Sequence, residues 1–405
     1  MSCVSTVESP PTPAPTVSRG LLPLLTGAAF LIFAQAFMVA PILPQLAHAL
    51  HATTGTVGLA VPAYLVPCGA MTLVWGPLSD RIGRRPVILL SLAAFTVLTA
   101  LTAFTGGAGA FIGLRLATGL GASGVVPISL ALIGDVFPYA RRGRALGWLF
   151  GGMAGGIAVG SSAGALAEPL IGWQGLFAVV AAAAAALLVA ALVLRVLPSS
   201  PRPAHAPSVS AVAAGYRKLL ATRRGRRTYG YILFNAVLHS GIYTWLGLYF
   251  LQRFELGPVG IGLALLGYGV PGFLLGPVIG HLADRYGRSR IVPAGVLLAA
   301  ASALLLAAHL PMIAAALVVA ALSLGYDMTQ PLLGGIVTDL PGSRGQALGL
   351  NAFCLFIGFG VGSLVFQVLM RAGFTTALLA FGAAALIGAG AAVPLFRGER
   401  APHTA

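Results

Sequence analysis

The chain has 405 residues, 58% of them hydrophobic and only 8% charged. A soluble domain of this length would be about one-quarter charged to solvate its surface, so the composition excludes a water-facing globule and makes lipid the solvent. The net charge of +15 does not point to nucleic acid, because the 24 basic residues lie mostly in short segments between apolar runs.

In chain order, residues 1–18 are rich in Pro, Ser and Thr and carry Glu8, which predicts a disordered tail without the basic start of a secretory signal. Apolar stretches of bilayer length follow near 21–43, 56–75, 86–105, 109–134, 145–167 and 173–195. Six more lie near 228–250, 258–280, 290–309, 311–336, 346–369 and 373–396. These runs extend well past ten residues without alternating polarity, so they predict helices and not barrel strands. The expected organisation is a six-helix bundle over 19–195, a polar linker over 196–227, a second six-helix bundle over 228–397 and a tail over 398–405. The linker, with Lys218 and seven arginines between Arg195 and Arg227, predicts a short basic amphipathic helix on the inner leaflet; an unstructured tether is the alternative.

The arginines set the orientation. With the first residue inside, 21 of the 24 basic residues fall in cytoplasmic segments, and the external loops carry only Arg253 and Arg371. That asymmetry predicts an even number of crossings with both termini cytoplasmic. Glu168 and Glu255 are expected in external loops.

Internal repetition is more specific. GPLSDRIGRRPV at 76–87 returns as GHLADRYGRSRIV at 280–292, an offset of 204 residues. Asp135 followed by RRGRALG returns as Asp339 followed by SRGQALG, and Gly147, Gly156, Gly160 and Ser161 return as Gly349, Gly358, Gly362 and Ser363. Three patterns in order at nearly one offset describe a duplicated six-helix unit.

On these residues the chain resembles the major facilitator superfamily, and within it the twelve-helix drug:proton antiporters. Gly76, Leu78, Asp80, Arg81, Gly83, Arg84 and Arg85 fill the superfamily's loop 2–3 motif. The resemblance implies an all-α membrane fold of two pseudo-symmetric six-helix bundles around a central cavity, worked by alternating access. It also implies that Asp80, Arg84 and Asp135 form a charge relay against the eleventh helix, with Asp284, Arg288 and Asp339 as the pseudo-symmetric set; loop charges that serve only topology are the alternative. Arg115, Gly119 and Gly121 match the family's fourth-helix motif, whose arginine is associated with proton coupling. From the residues alone, an arginine at membrane depth must face a cavity or a partner, or snorkel to the outer leaflet.

Two catalytic patterns are set aside. Gly119-x-Gly121-x-x-Gly124 matches a dinucleotide fingerprint but has no preceding strand. Gly160-Ser161-Ser162-Ala163-Gly164 matches an esterase elbow, yet glycines recur at 152, 156, 160 and 164 along one helix face, which predicts close helix packing. The same stripe resembles the antiporters' fifth-helix motif, with Ser161 and Ala165 in place of the usual Pro and second Gly.

Asp327 is the one acid expected at mid-span. A carboxylic acid at membrane depth can hold and release a proton, so Asp327 is a candidate proton site or cationic-substrate contact. A salt bridge with Arg115 and a structural hydrogen bond are the alternatives. Its counterpart in the first half is Ser123, and Pro331 falls opposite Pro127. Gln35, Tyr64, Asn235, His239, Tyr243, Trp245, Tyr268, Tyr326, Gln330 and Asn351 are the polar and aromatic residues expected to line a cavity for an amphipathic ligand. Cys3, Cys68 and Cys354 have no metal-ligand spacing, and no metal is expected.

The expected function is proton-coupled efflux of a small amphipathic compound by a monomer in the bacterial inner membrane, without a cofactor other than the coupling proton. Proton-coupled transport of a sugar, amino acid, organic acid or metallophore is the alternative. No Walker lysine or metal-ligand cluster is present to support an enzyme or an ATP-driven pump.

Overall fold

A computed structural model describes residues 18–137, 139–198, 208–268, 270–342 and 344–399. The tails at 1–17 and 400–405 and the linker stretch 199–207 lie outside the described residues, as does the side chain of Asp284. Helices account for the regular structure, as they must where lipid offers no partner for backbone N–H and C=O groups. Span 1 is Leu21–Phe37, extended through a short 3₁₀ turn into Leu43–Ala49. Thr54–Gly58 leads into span 2, Ala60–Ile82, and span 3 is Arg84–Thr102. Span 4 is broken into Ala108–Ala122 and Val125–Val136. Spans 5 and 6 form one helix, Tyr139–Val193, that reverses at Gly172, whose φ of 68° only glycine adopts at little cost.

In the second half, span 7 is Arg223–Phe254, and span 8 is Pro258–Ala264 followed by Val270–Tyr286. Span 9 is Arg288–Ala307, and span 10 is broken into Met312–Asp327 and Gln330–Thr338. Span 11 is Arg344–Leu369 and span 12 is Phe374–Leu395. Among the described residues nine helical stretches are long and apolar enough to cross a membrane. One of them folds back at Gly172, and spans 7 and 8 complete the twelve. Span 7 escapes a hydropathy threshold because it buries Asn235, His239, Ser240, Thr244 and several tyrosines among the other helices.

The duplication is visible in packing. Gly156 and Gly160 of span 5 lie directly against the carbonyl oxygens of Phe30 and Ala34 in span 1. Their counterparts Gly358 and Gly362 of span 11 lie against the carbonyls of Leu233 and Val237 in span 7. The stripe is therefore a packing seam, where absent side chains let backbones approach. Each half also turns between its second and third spans on a glycine with positive φ, 98° at Gly83 and 83° at Gly287.

Each half begins and ends on one face. A Cβ on Gly20, before span 1, would meet Val196, after span 6, at 3.3 Å. Glu399, after span 12, pairs with Arg224 and Arg227 at the start of span 7.

Three expectations are corrected. Glu168 lies inside the continuous span 5–6 helix and not in a loop, because the reversal is made by Gly172. The linker does form a helix, Val209–Ala221, but its buried Val212 and Leu219 and its Tyr216 pack towards the inner end of span 11, where Gln346 donates to the Val212 carbonyl at 3.5 Å. Arg217 and Lys218 stay exposed. Within the expected tail, Glu399 is anchored by two arginines and by its backbone oxygen, which accepts from Ser289 N at 3.0 Å.

Candidate functional site

Each half builds one buried polar cluster. In the first, Arg115 of span 4 is fully buried. Its Nη1 donates to Gln35 Oε1 of span 1 at 2.7 Å, its Nε reaches the Ala60 carbonyl at 3.4 Å, and its guanidinium lies 4.2 Å from the ring centre of Tyr64 in span 2. Arg115 therefore neither snorkels nor pairs with Asp327; its described partners are an amide, a carbonyl and an aromatic face. Arg115 Nη2, Gln35 Nε2 and the Tyr64 hydroxyl are buried without a described hydrogen-bond partner.

The second cluster sits in the other half. Tyr268 of span 8 stands 204 residues after Tyr64, and its hydroxyl contacts the His239 imidazole of span 7, 3.1 Å from Nδ1 and closer to Nε2. The His239 ring stacks on Tyr326 of span 10 with centroids 3.7 Å apart, and Tyr243 stacks on Tyr268 at 4.3 Å. Asp327 follows Tyr326 at the point where span 10 breaks, and Ser323 Oγ donates to its Oδ2 at 3.2 Å. The break matches the one in span 4, where Ser123 stands.

Both breaks free backbone groups and both are covered by side chains. Thr329 donates to the Tyr326 carbonyl at 2.8 Å and accepts from Asn235 Nδ2 at 2.7 Å. In span 4, Ser123 donates to the Leu120 carbonyl at 2.7 Å and accepts from Trp75 Nε1 at 2.7 Å.

Of the ten expected cavity residues, Asn235, His239 and Tyr326 line a small cavity of about 10 Å³ with Leu322 and Phe381 inside the second half. Such a volume is of the order needed for one water. Gln35 and Tyr64 belong to the Arg115 cluster instead. Gln330 and Asn351 are half-buried, and each has a side-chain oxygen without a described partner. Trp245 is fully buried: Nε1 donates to the Ser363 carbonyl at 3.1 Å, and its ring fills the space a Cβ on Gly58 would need.

Trp245 marks a contact between the halves at the end opposite Asp80. There the Tyr243 hydroxyl donates to the Phe37 carbonyl at 2.8 Å, Gln367 Nε2 to the Gly55 carbonyl at 2.8 Å and Ser162 to the Leu265 carbonyl at 3.0 Å. Towards the Asp80 end, Thr72 reaches the Gly349 carbonyl at 3.5 Å.

At the Asp80 end the first charge set is assembled. Arg84 Nη1 lies 2.6 Å from Asp80 and its Nε donates to Asp135 at 3.2 Å, with Ser79 also in contact. In the second set Arg288 pairs with Asp339 at 2.7 Å. Arg81 and Arg85 stand exposed and partly buried respectively at the same turn, and a Cβ on Gly76 would meet nothing.

Sequence reasoning missed Ser161 and Thr329 as polar partners of these clusters. The first reaches the Tyr243 hydroxyl from span 5, and the second holds Asn235. The recurrence of Ser161 as Ser363 was a signal, but nothing in the one-dimensional pattern shows which helices face each other.

Comparison with known proteins agrees with this architecture. A Pseudomonas aeruginosa chloramphenicol resistance protein is 37% identical over 142 residues, 35% of this chain and 34% of that protein. A Streptomyces lividans chloramphenicol resistance protein is 26% identical over 334 residues, covering 81% of this chain and 83% of that one. Among solved structures, a D-xylose-proton symporter shares the fold with a TM-score of 0.75 at 17% identity, over 95% of this chain and 98% of its own. The sequence model of the Major Facilitator Superfamily matches residues 25–260 and 253–405, and the chain belongs to that superfamily.

Proposed function

We propose that this transporter exports small amphipathic compounds in exchange for protons, with Asp327 as the proton-carrying group. The observation that carries the reading is the position of Asp327: a carboxyl at a break in the middle of span 10, beside a cluster of His239, Tyr268, Tyr326 and Tyr243. A carboxylic acid at this depth is costly and is retained where it binds or carries charge. The rings offer flat apolar faces with hydroxyl and imidazole edges, which suits an aromatic ligand with a few polar groups. The relatives named for chloramphenicol resistance support that ligand class.

The remaining residues take supporting roles. Arg115 holds a fixed positive charge in the first half opposite the titratable group of the second. Asp80, Arg84 and Asp135 tie spans 2, 3 and 4 together at the face carrying the termini, which the distribution of arginines places in the cytoplasm. The bacterial inner membrane is the setting this orientation requires.

The test is chloramphenicol export in proteoliposomes with an imposed pH gradient. Wild-type protein should move the compound against its gradient, and Asp327→Asn should bind it but lose the pH dependence. Pumping by Asp327→Asn with an unchanged pH profile would overturn the assignment.

A further inference from the structure

We propose that Tyr268 is the positioning residue that transmits the protonation state of Asp327 to the contact between the two halves. The inference rests on the reading of Asp327 as the proton site. Tyr268 sits at the meeting point of three interactions. Its hydroxyl contacts the His239 imidazole, it lies within electrostatic reach of Asp327, and its ring stacks on Tyr243 with 29° between planes. Tyr243 is in turn the cross-half residue: its hydroxyl donates to the Phe37 carbonyl of span 1 and lies within hydrogen-bonding reach of Ser161 in span 5. One ring stack thus runs from the acid to two helices of the opposite half.

The titratable and charged groups around Tyr268 are Asp327 and Tyr326 of span 10 and His239 and Tyr243 of span 7. Spans 1 and 11 add the uncharged rings of Phe37 and Phe359. A carboxylate is a stronger acceptor than a neutral imidazole, because charge-assisted hydrogen bonds are about twice as strong as neutral ones. With Asp327 protonated, the Tyr268 hydroxyl donates to His239, as seen here. With Asp327 ionised, the hydroxyl turns to the carboxylate and its ring leaves the Tyr243 face. Tyr243 then loses the support that aims it at Phe37, and the end of the bundle opposite Asp80 loosens. No bond in Tyr268 is broken; its O–H changes acceptor, and the transported proton enters and leaves at the Asp327 carboxyl.

The test uses the full chain in lipid nanodiscs and proteoliposomes, with the three native cysteines replaced. Cysteines placed at Gly55 and Gln367, which touch across the halves, are cross-linked with a short bismaleimide at acidic and alkaline pH. Chloramphenicol counterflow, which needs no net proton movement, is measured beside gradient-driven transport. Wild-type cross-linking should fall several-fold from acidic to alkaline pH. Tyr268→Phe keeps the ring and removes the hydroxyl; it should retain counterflow within about twofold and lose pH-dependent cross-linking. Its gradient-driven transport should fall at least about tenfold, the scale of one hydrogen bond to a charged group. His239→Leu should behave alike and His239→Gln, which restores an acceptor, should recover; this pair decides the matter if Tyr268→Phe does not fold.

PH-dependent cross-linking that survives Tyr268→Phe, or is absent from the wild type, would overturn the proposal. If Asp327→Asn abolishes the pH dependence while Tyr268→Phe and His239→Leu preserve it, only the role of Tyr268 falls. If Asp327→Asn itself leaves the pH dependence intact, the proton-site reading fails with it.

Discussion

Replacing Glu399 by Gln keeps the shape of the turn after span 12 but removes the charge that two arginines converge on. Arg224 reaches the carboxylate with Nε and Nη2, each at 2.8 Å, and Arg227 with Nη2 at 2.6 Å. The Glu399 side chain is only 8% exposed, Arg227 is 15% exposed and Arg224 is 41% exposed. Hydrogen bonds to charged groups contribute about 1.5–3 kcal/mol each, but burial of the carboxylate offsets part of this and solvent screens the Arg224 share. A net loss of about 2 kcal/mol is expected, which for a chain of this length lowers Tm by about 2–3 °C. Burial acts to raise the Glu399 carboxyl above its ordinary value, and the hydrogen bonds from Arg224 and Arg227 outweigh it, leaving the group lowered. The folded state then binds its proton less readily than the unfolded chain. The stabilisation is present above the ordinary glutamate range and is lost as pH falls below it. Thermal denaturation of detergent-purified protein across pH should show the two curves separated at neutral pH and merging in acid. A Glu399→Gln curve that overlays the wild type at neutral pH would show that the anchor contributes nothing.

Two further perturbations address the interior. Gly160→Ala and Gly362→Ala each place a Cβ against a backbone carbonyl, of Ala34 and Val237 respectively. Each should cost about 1–3 kcal/mol by overpacking, whereas Gly151→Ala, which meets nothing within 4 Å, should be neutral or gain up to about 1 kcal/mol of helix propensity; the measurement is thermal stability of the three variants side by side. Arg115 is surrounded by neutral partners among the described residues, so Arg115→Met removes a buried charge and should leave stability unchanged or about 1–3 kcal/mol higher while transport is lost. Arg115→Lys keeps the charge but not the planar fork on Gln35 and Tyr64, and should not restore transport; the assay is stability against transport for both, and a destabilised Met variant would make the arginine structural.

The twelve-span plan was legible because lipid imposes long apolar helices and because the duplication left Asp80 and Asp284, Gly83 and Gly287, and Gly160 and Gly362 in register. The glycine seam could be read as packing from its four-residue period alone. The breaks in spans 4 and 10 could not, since Ser123 and Asp327 sit inside uninterrupted apolar runs and the prolines that follow are compatible with a continuing helix. Nor could the partners of Arg115 be read, because Gln35 and Tyr64 lie on other helices and hydropathy carries no azimuth. The anchoring of Glu399 was hidden for a different reason: a polar terminus looks the same whether solvated or held by arginines 170-odd residues away.

What the two halves do not share follows from how they came to be built. A duplicated unit starts with the same polar positions in both copies, and Tyr64 and Tyr268 still occupy one of them. Around that common tyrosine the copies have diverged in charge. The first places a guanidinium, which stays protonated at any pH the cell meets, and surrounds it with an amide and a ring that cannot neutralise it by proton transfer. The second places a carboxyl and an imidazole, both of which titrate. A proton arriving at the middle of the bundle therefore finds only one half that can take it, and the bistability required for alternating access is biased from that half alone. The contact through Tyr243 to Phe37 leads from the titratable half to the fixed one, and that direction gives a symmetric scaffold an asymmetric control.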